Sequence, residues 1–254
     1  MVAAAAGGES LGGGALRGRT ALVTWASRGI GAAVARALAG AGARVALAAR
    51  TVSALVEVAD ELRAAGAPAP LVLPADLRDA AAVGAAAAQL HDAFGGPPDV
   101  LVNNAGVFAV APAHEADPEA FAALVDANLV APFRLVRAFL PGMRARGAGH
   151  LVTVGSVADR RAFPGNAAYA SAKYGLRGLH EVLREELRGT GVRATLVAPG
   201  PTDTPLWDPL DPDAREGFTP RAEMLAAADV ADAVLWAVTR PASVNVDELR
   251  LGRA

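Results

Sequence analysis

The sequence predicts an α/β fold: one doubly wound domain built on a mostly parallel, seven-stranded sheet with helices on both faces. Two observations carry this. From Thr20 onward, short apolar runs alternate with longer alanine-rich stretches of helical period, and that alternation yields parallel strands joined by right-handed helical crossovers. The apolar runs are also nearly continuous, as expected of strands covered on both faces.

Taken in order, the strands fall at 21–24 (ALVT), 44–48 (RVALA), 70–74 (PLVLP), 99–103 (DVLVN), 150–155 (HLVTVG) and 192–198 (VRATLVA), with a seventh at 244–251 (VNVDELRL). Helices are expected at about 30–41, 52–65, 79–94, 118–145, 169–189 and 227–239. No internal repeat or interdomain linker interrupts the pattern. Residues 17–254 therefore read as one domain, and the Ala/Gly-rich stretch 1–16 as a flexible tail. That stretch lacks the basic start of a secretory signal. The Pro- and Asp-rich segment at 199–220 follows the sixth strand directly, at the end of a parallel sheet where ligands bind. A long loop in that place reads as a substrate lid, extending over 199–226.

Composition narrows the chemistry. The 254 residues carry a net charge of -2, which gives no electrostatic reason to expect nucleic acid or an anionic membrane as partner. No apolar run approaches the roughly 18 residues that span a bilayer, and the expected location is the cytoplasm. The chain has no cysteine, so disulfides, thiolate catalysis and Cys-ligated metals are excluded. Its four histidines, His91, His114, His150 and His180, are scattered, and no metal site is expected.

Three features carry chemistry. At 22–31, LVTWASRGIG, Gly29 and Gly31 open a helix after the first strand. Glycines there let the backbone approach a pyrophosphate, which the helix N-terminus attracts. Tyr169 and Lys173 stand four residues apart, on one face of a helix. A cation beside a phenol favours its ionised form, as a general acid or base near neutral pH requires. Ser156, just past the fifth strand, is placed to hydrogen-bond the same substrate oxygen.

Over about residues 17–252 the chain resembles the short-chain dehydrogenase/reductase family in its single-domain, extended Rossmann form. The resemblance rests on Ser156, Tyr169-x-x-x-Lys173, NNAG at 103–106, Asn128 in DANLVAPF, Asp76 in ADL and PGPTDT at 199–204. It implies a catalytic set of Asn128, Ser156, Tyr169 and Lys173. Tyr169 would pass a proton to a carbonyl oxygen or take one from an alcohol, while Lys173 lowers the phenol's pKa and holds the nicotinamide ribose. Ser156 would orient the reacting oxygen, and Asn128 would anchor a water linking Lys173 to solvent. The implied cofactor contacts begin in the turn with Thr24, Trp25, Ser27, Arg28, Gly29, Ile30 and Gly31. They continue through Arg50, Asp76, Leu77, Asn104, Ala105 and Gly106 at the adenosine side. Tyr169, Lys173, Pro199, Gly200, Thr202 and Thr204 would fix the nicotinamide. Ser156, Tyr169, Leu206 and Trp207 are the expected substrate contacts.

Charge argues for NADP(H) over NAD(H). An NAD site carries an acidic residue after the second strand, whereas this chain reads Ala48, Ala49 and Arg50 there, with Arg28 in the turn. Two guanidiniums can grip a 2′-phosphate. The expected substrate is a small carbonyl or alcohol: a ketone, a hydroxy acid or a secondary-metabolite type, in keeping with a ketoreductase. The lid residues Leu206, Trp207, Leu210, Phe218 and Met224 indicate an apolar pocket. A homotetramer, or a homodimer, is expected through the helices at 118–145 and 169–189.

Trp25 departs from the family pattern, which has glycine as the first residue of this turn. A β-carbon disfavours positive φ where glycine is needed. Either the indole fills space required by the adenosine ribose or phosphate, or it turns outward or stacks on the adenine. The alternative reading is therefore a protein of this fold with impaired cofactor binding, as an altered enzyme or a non-catalytic binding or regulatory protein.

Overall fold

The computed structural model describes residues 14–104 and 106–254. The strands are β1 (Thr20–Thr24), β2 (Arg44–Ala49), β3 (Leu71–Pro74), β4 (Val100–Asn103), β5 (Gly149–Val154), β6 (Val192–Pro199), β7 (Thr202–Asp203), β8 (Leu225–Ala226) and β9 (Glu248–Leu251). The α-helices are α1 (Gly29–Gly40), α2 (Val52–Ala64), α3 (Ala80–Phe94), α4 (Pro118–Val125), α5 (Ala131–Arg146), α6 (Ala167–Glu186) and α7 (Ala227–Val238). The main sheet has seven strands in the order β3-β2-β1-β4-β5-β6-β9, and every neighbouring pair is parallel. The order reverses between β1 and β4, which opens a crevice at the carboxyl ends of those strands.

Two cores form because successive strand residues face opposite sides. Val23, Val45, Leu47 and Val102 join Val34, Leu38, Leu55, Val230 and Val234 of α1, α2 and α7 in one core. Leu22, Leu73, Leu101 and Leu151 join Leu90, Leu135, Phe139, Met143 and Leu183 of α3, α5 and α6 in the other.

The structure departs from the sequence reading in four places. The helix expected over 118–145 is divided by a π-helical turn, Asp126–Val130. Pro132 has no N–H to donate back along the helix, and the Asn128 side chain donates to the Leu124 carbonyl at 2.9 Å. Extra residues in a turn are how a helix absorbs such a mismatch. The last strand is shorter than 244–251, because the Asn245 side chain takes over edge pairing. It accepts from the Ala194 N–H at 2.9 Å and donates to the Ala194 carbonyl at 3.1 Å. The lid is not structureless: it carries the β7–β8 pair and 3-10 turns at Pro205–Leu210 and Arg221–Glu223. Finally, Leu16, assigned to the tail, is buried in the first core with its N–H bonded to the Ala41 carbonyl at 2.8 Å. The rest of that assignment, residues 1–13, lies outside the described residues.

Candidate active site

A single cavity of about 990 Å³ runs along the carboxyl ends of the strands. One end is formed by the turn after β1 together with Ala49, Arg50, Ala75 and Leu77. Its middle is formed by Asn104, Gly106, Ser156, Tyr169, Lys173, Pro199, Gly200, Thr202 and Thr204. The far end lies under the lid at Leu206, Trp207 and Phe218.

The turn is built as its glycines require. Gly29 has a φ of 56°, and a β-carbon there would lie 3.2 Å from Thr204 Cβ. The segment after β6 thus closes onto the turn. A β-carbon on Gly31 would collide with the Trp25 carbonyl and lie 2.7 Å from Asn104 Nδ2. Arg28 at the N-cap of α1 makes no capping hydrogen bond, and the first turn holds no acidic residue. Its N–H groups and the helix dipole therefore favour an anion. These residues fit a dinucleotide phosphate.

Trp25 takes a φ of 52°, the left-handed region that favours glycine. Its indole is half-buried, rests against the second core and lines the cavity. Arg28 and Arg50 are exposed, line the same end and form no ion pair among the described residues.

Tyr169 and Lys173 rise from the first turns of α6, which starts two residues before the expected position, at Ala167. Lys173 is 2% exposed, donates to the Val154 carbonyl at 3.2 Å and lies over the Tyr169 ring, 5.5 Å from its centre. Burial pushes the lysine down to about 8, against the pull of the Asp159 carboxylate. Burial likewise pushes the Tyr169 phenol up to about 12, while its hydrogen bond with Ser156 pulls it back and Asp159 adds to the rise. The lowered phenol expected from the lysine is therefore corrected. In the protein alone, desolvation of the phenolate dominates its titration.

Several expected residues lie behind the cavity rather than on it. Thr24 is buried: its hydroxyl donates to the Val102 carbonyl at 3.1 Å and accepts from the Asn104 N–H at 3.0 Å. It stitches β1 to the loop after β4. Gly31 faces the turn. Asp76 is engaged by Arg78, whose Nη2 lies at 2.7 Å, and that guanidinium holds the carboxyl down at about 2. Asn128 is fully buried, donating to Val107 and Leu124 carbonyls at 3.0 and 2.9 Å. Its side chain fixes the loop that follows β4. Ala105 lies outside the described residues.

Two further residues belong to the site. Phe108 meets the Tyr169 ring edge to face, with centroids 4.9 Å apart. Asp159, three residues past Ser156, is fully buried and contacts Arg250 at 3.3 Å. Desolvation raises its pKa despite that arginine. The proximity of Phe108 to NNAG and of Asp159 to Ser156 was the only sequence signal available for either.

Residues 19–215 match the family model described as short chain dehydrogenase. The chain belongs to that family. Among solved structures it is similar to a metagenomic short-chain oxidoreductase in complex with NADP, at 37% identity and a TM-score of 0.81, covering 94% of this chain and 99% of that one. It is 34% identical over 185 residues, 73% of the chain, to the ketoacyl reductase HetN of Nostoc sp.. It is also 34% identical over 158 residues, 60% of the chain, to the NADP-dependent 3-hydroxy acid dehydrogenase YdfG of Salmonella typhi. Each match spans 64% of the relative's own length. Among the described residues no helix is long and apolar enough to cross a membrane.

Proposed function

We propose that the protein interconverts a small carbonyl compound and its alcohol, with NADP(H) as the hydride partner. The observation that carries this is one continuous cavity, joining the anion-ready start of α1 to Ser156, Tyr169 and Lys173. Arg28 and Arg50 would hold the 2′-phosphate, as no carboxylate ends β2 to bind ribose hydroxyls in its place. Pro199, Gly200, Thr202 and Thr204 would hold the nicotinamide ring, and Lys173 the ribose beside it. When bound, the nicotinamide supplies or accepts the hydride. In reduction, the Ser156 hydroxyl holds the carbonyl oxygen, and the Tyr169 phenol gives that oxygen its proton. In oxidation the phenolate oxygen takes the alcohol's proton, and Lys173 stabilises the negative charge that oxygen carries before it does so. Asn128 acts at one remove, by fixing the Val107 main chain beside the site.

A second reading has its own observation. The Trp25 indole lines the adenosine end at a backbone angle that suits glycine, so the dinucleotide would meet a narrowed groove there. Adding NADPH and a ketone panel separates the two readings. Ketone-dependent loss of nicotinamide absorbance supports the reductase, whereas NADPH that neither binds nor reacts supports the impaired site.

The assembly is read from exposed apolar side chains. Phe121, Phe133, Tyr174 and Val182 stand on α4, α5 and α6 with 37–55% of their surface exposed. These faces would be covered by a second copy, giving a homodimer or homotetramer.

A further inference from the structure

We propose that the substrate end of the cavity selects a neutral aromatic carbonyl compound and rejects one that carries a carboxylate. This rests on the reductase reading above and names its substrate class.

Aromatic rings line the path away from the reacting phenol. Phe108 stands edge to face on Tyr169 at 4.9 Å and packs at 62° to Trp207, 5.2 Å away. Trp207 in turn meets Phe218 edge on at 6.2 Å. The Trp207 Nε1–H is already donated to the Thr202 carbonyl at 3.0 Å, which fixes the indole and leaves its carbon faces to the cavity. Rings so arranged offer both edge and face contacts to a further ring, the geometries aromatic pairs prefer.

The charges point the same way. Among the described residues that line the cavity, the ionisable ones besides Tyr169 are Arg28, Arg50, Lys173 and Glu216. The two arginines are at the adenosine end, and Lys173 lies over the Tyr169 ring, bonded to Val154. The lid therefore contributes a single charge, the carboxylate of Glu216. The cations nearest the lid are engaged elsewhere. Arg161 and Arg215 lie over the faces of Phe163 and Phe218 at 5.3 and 5.2 Å and do not line the cavity. Arg221 is held by Asp203 and Asp208, each at 2.6 Å. A substrate carboxylate would lose water with no cation to replace it, and would face Glu216.

The test compares methyl 4-acetylbenzoate with 4-acetylbenzoate, which share size and ring but differ in charge. Fructose, a neutral non-aromatic ketone, serves as the third substrate. NADPH oxidation gives kcat/KM, and calorimetric titration of each compound into the protein with NADPH gives binding without turnover. The expected result is a preference of about a hundredfold or more for the ester over the acid, with fructose poorer than the ester. Equal or better use of the acid, or of fructose, overturns the proposal while leaving the reductase reading intact. Binding of the ester but not the acid, with no carbonyl reduced, supports the pocket assignment and sinks the reductase reading. If nothing binds and nothing is reduced, both fall. Glu216→Arg supplies the missing cation, so the ester-to-acid ratio should narrow about tenfold, or 1.4 kcal/mol. An unchanged ratio overturns the role given to charge.

Discussion

The Lys173 ammonium sits over the Tyr169 ring, 5.5 Å from its centre, and burial shifts each group away from its charged form. The phenol, pushed up to about 12, stays protonated at every ordinary pH. In the proposed reaction that state suits proton donation in reduction, whereas oxidation needs the phenolate stabilised further than Lys173 alone achieves in the protein without cofactor. Difference absorbance of phenolate in wild type against Tyr169→Phe should place the Tyr169 transition above pH 10 in the protein alone. Adding NADP, whose oxidised ring is cationic, should move it downward. A transition below pH 9 without cofactor would contradict the dominance of desolvation.

The turn at Trp25 yields a second expectation. A non-glycine residue at positive φ carries strain on the order of 1–2 kcal/mol, and the indole narrows the adenosine end. Trp25→Gly should tighten NADPH binding by about tenfold, the equivalent of 1.4 kcal/mol. Equal dissociation constants, measured by calorimetry, would show that the indole leaves the cofactor's path clear. Gly31→Ala should act oppositely. Its methyl group meets the Trp25 carbonyl and Asn104, at a cost of about 1–3 kcal/mol in denaturant unfolding.

Acid should unfold the protein through two buried imidazoles. His150 hydrogen-bonds Thr195 at 2.8 Å and His180 hydrogen-bonds Thr153 at 3.0 Å. Burial holds them down at about 3 and about 4. The unfolded chain, with histidines near 6.5, then binds more protons than the folded one between those values. Stability therefore rises with pH through this window, is complete above about 6.5, and is lost as pH falls. Each imidazole should remove on the order of 2 kcal/mol between pH 7 and 4.5. Urea unfolding of His180→Asn against wild type at both pH values checks this; a pH dependence as steep in the variant would rule the histidine out.

The exposed rings of α4 and α5 give an assembly prediction. Phe133, 48% exposed, should sit in the interface between copies, and Phe133→Glu should reduce the mass in light scattering. A monomeric wild type would refute the assembly outright.

The architecture was legible because strands covered on both faces leave unbroken apolar runs, such as 44–48 and 192–198, that little else produces. Ser156, Tyr169 and Lys173 were legible because their spacing is set by local turns. What stayed hidden depends on three-dimensional context. Phe108 touches Tyr169 only because the loop after β4 folds back under Asn128. The π-helical turn reflects a side chain, Asn128, satisfying its own helix. The phenol's upward shift follows from burial, which no spacing reveals. The end of the last strand was overrun because Asn245 imitates a strand's hydrogen bonds with its side chain.

The proton transfer proposed for Tyr169 in an NADPH-dependent carbonyl reduction is open to direct assay. The direct measurement is the rate of NADPH oxidation with methyl 4-acetylbenzoate, for wild type and Tyr169→Phe at matched cofactor occupancy. Tyr169→Phe should lower kcat by about 10²–10⁴-fold, with ketone binding retained. An unchanged kcat in Tyr169→Phe would contradict the proposed proton transfer.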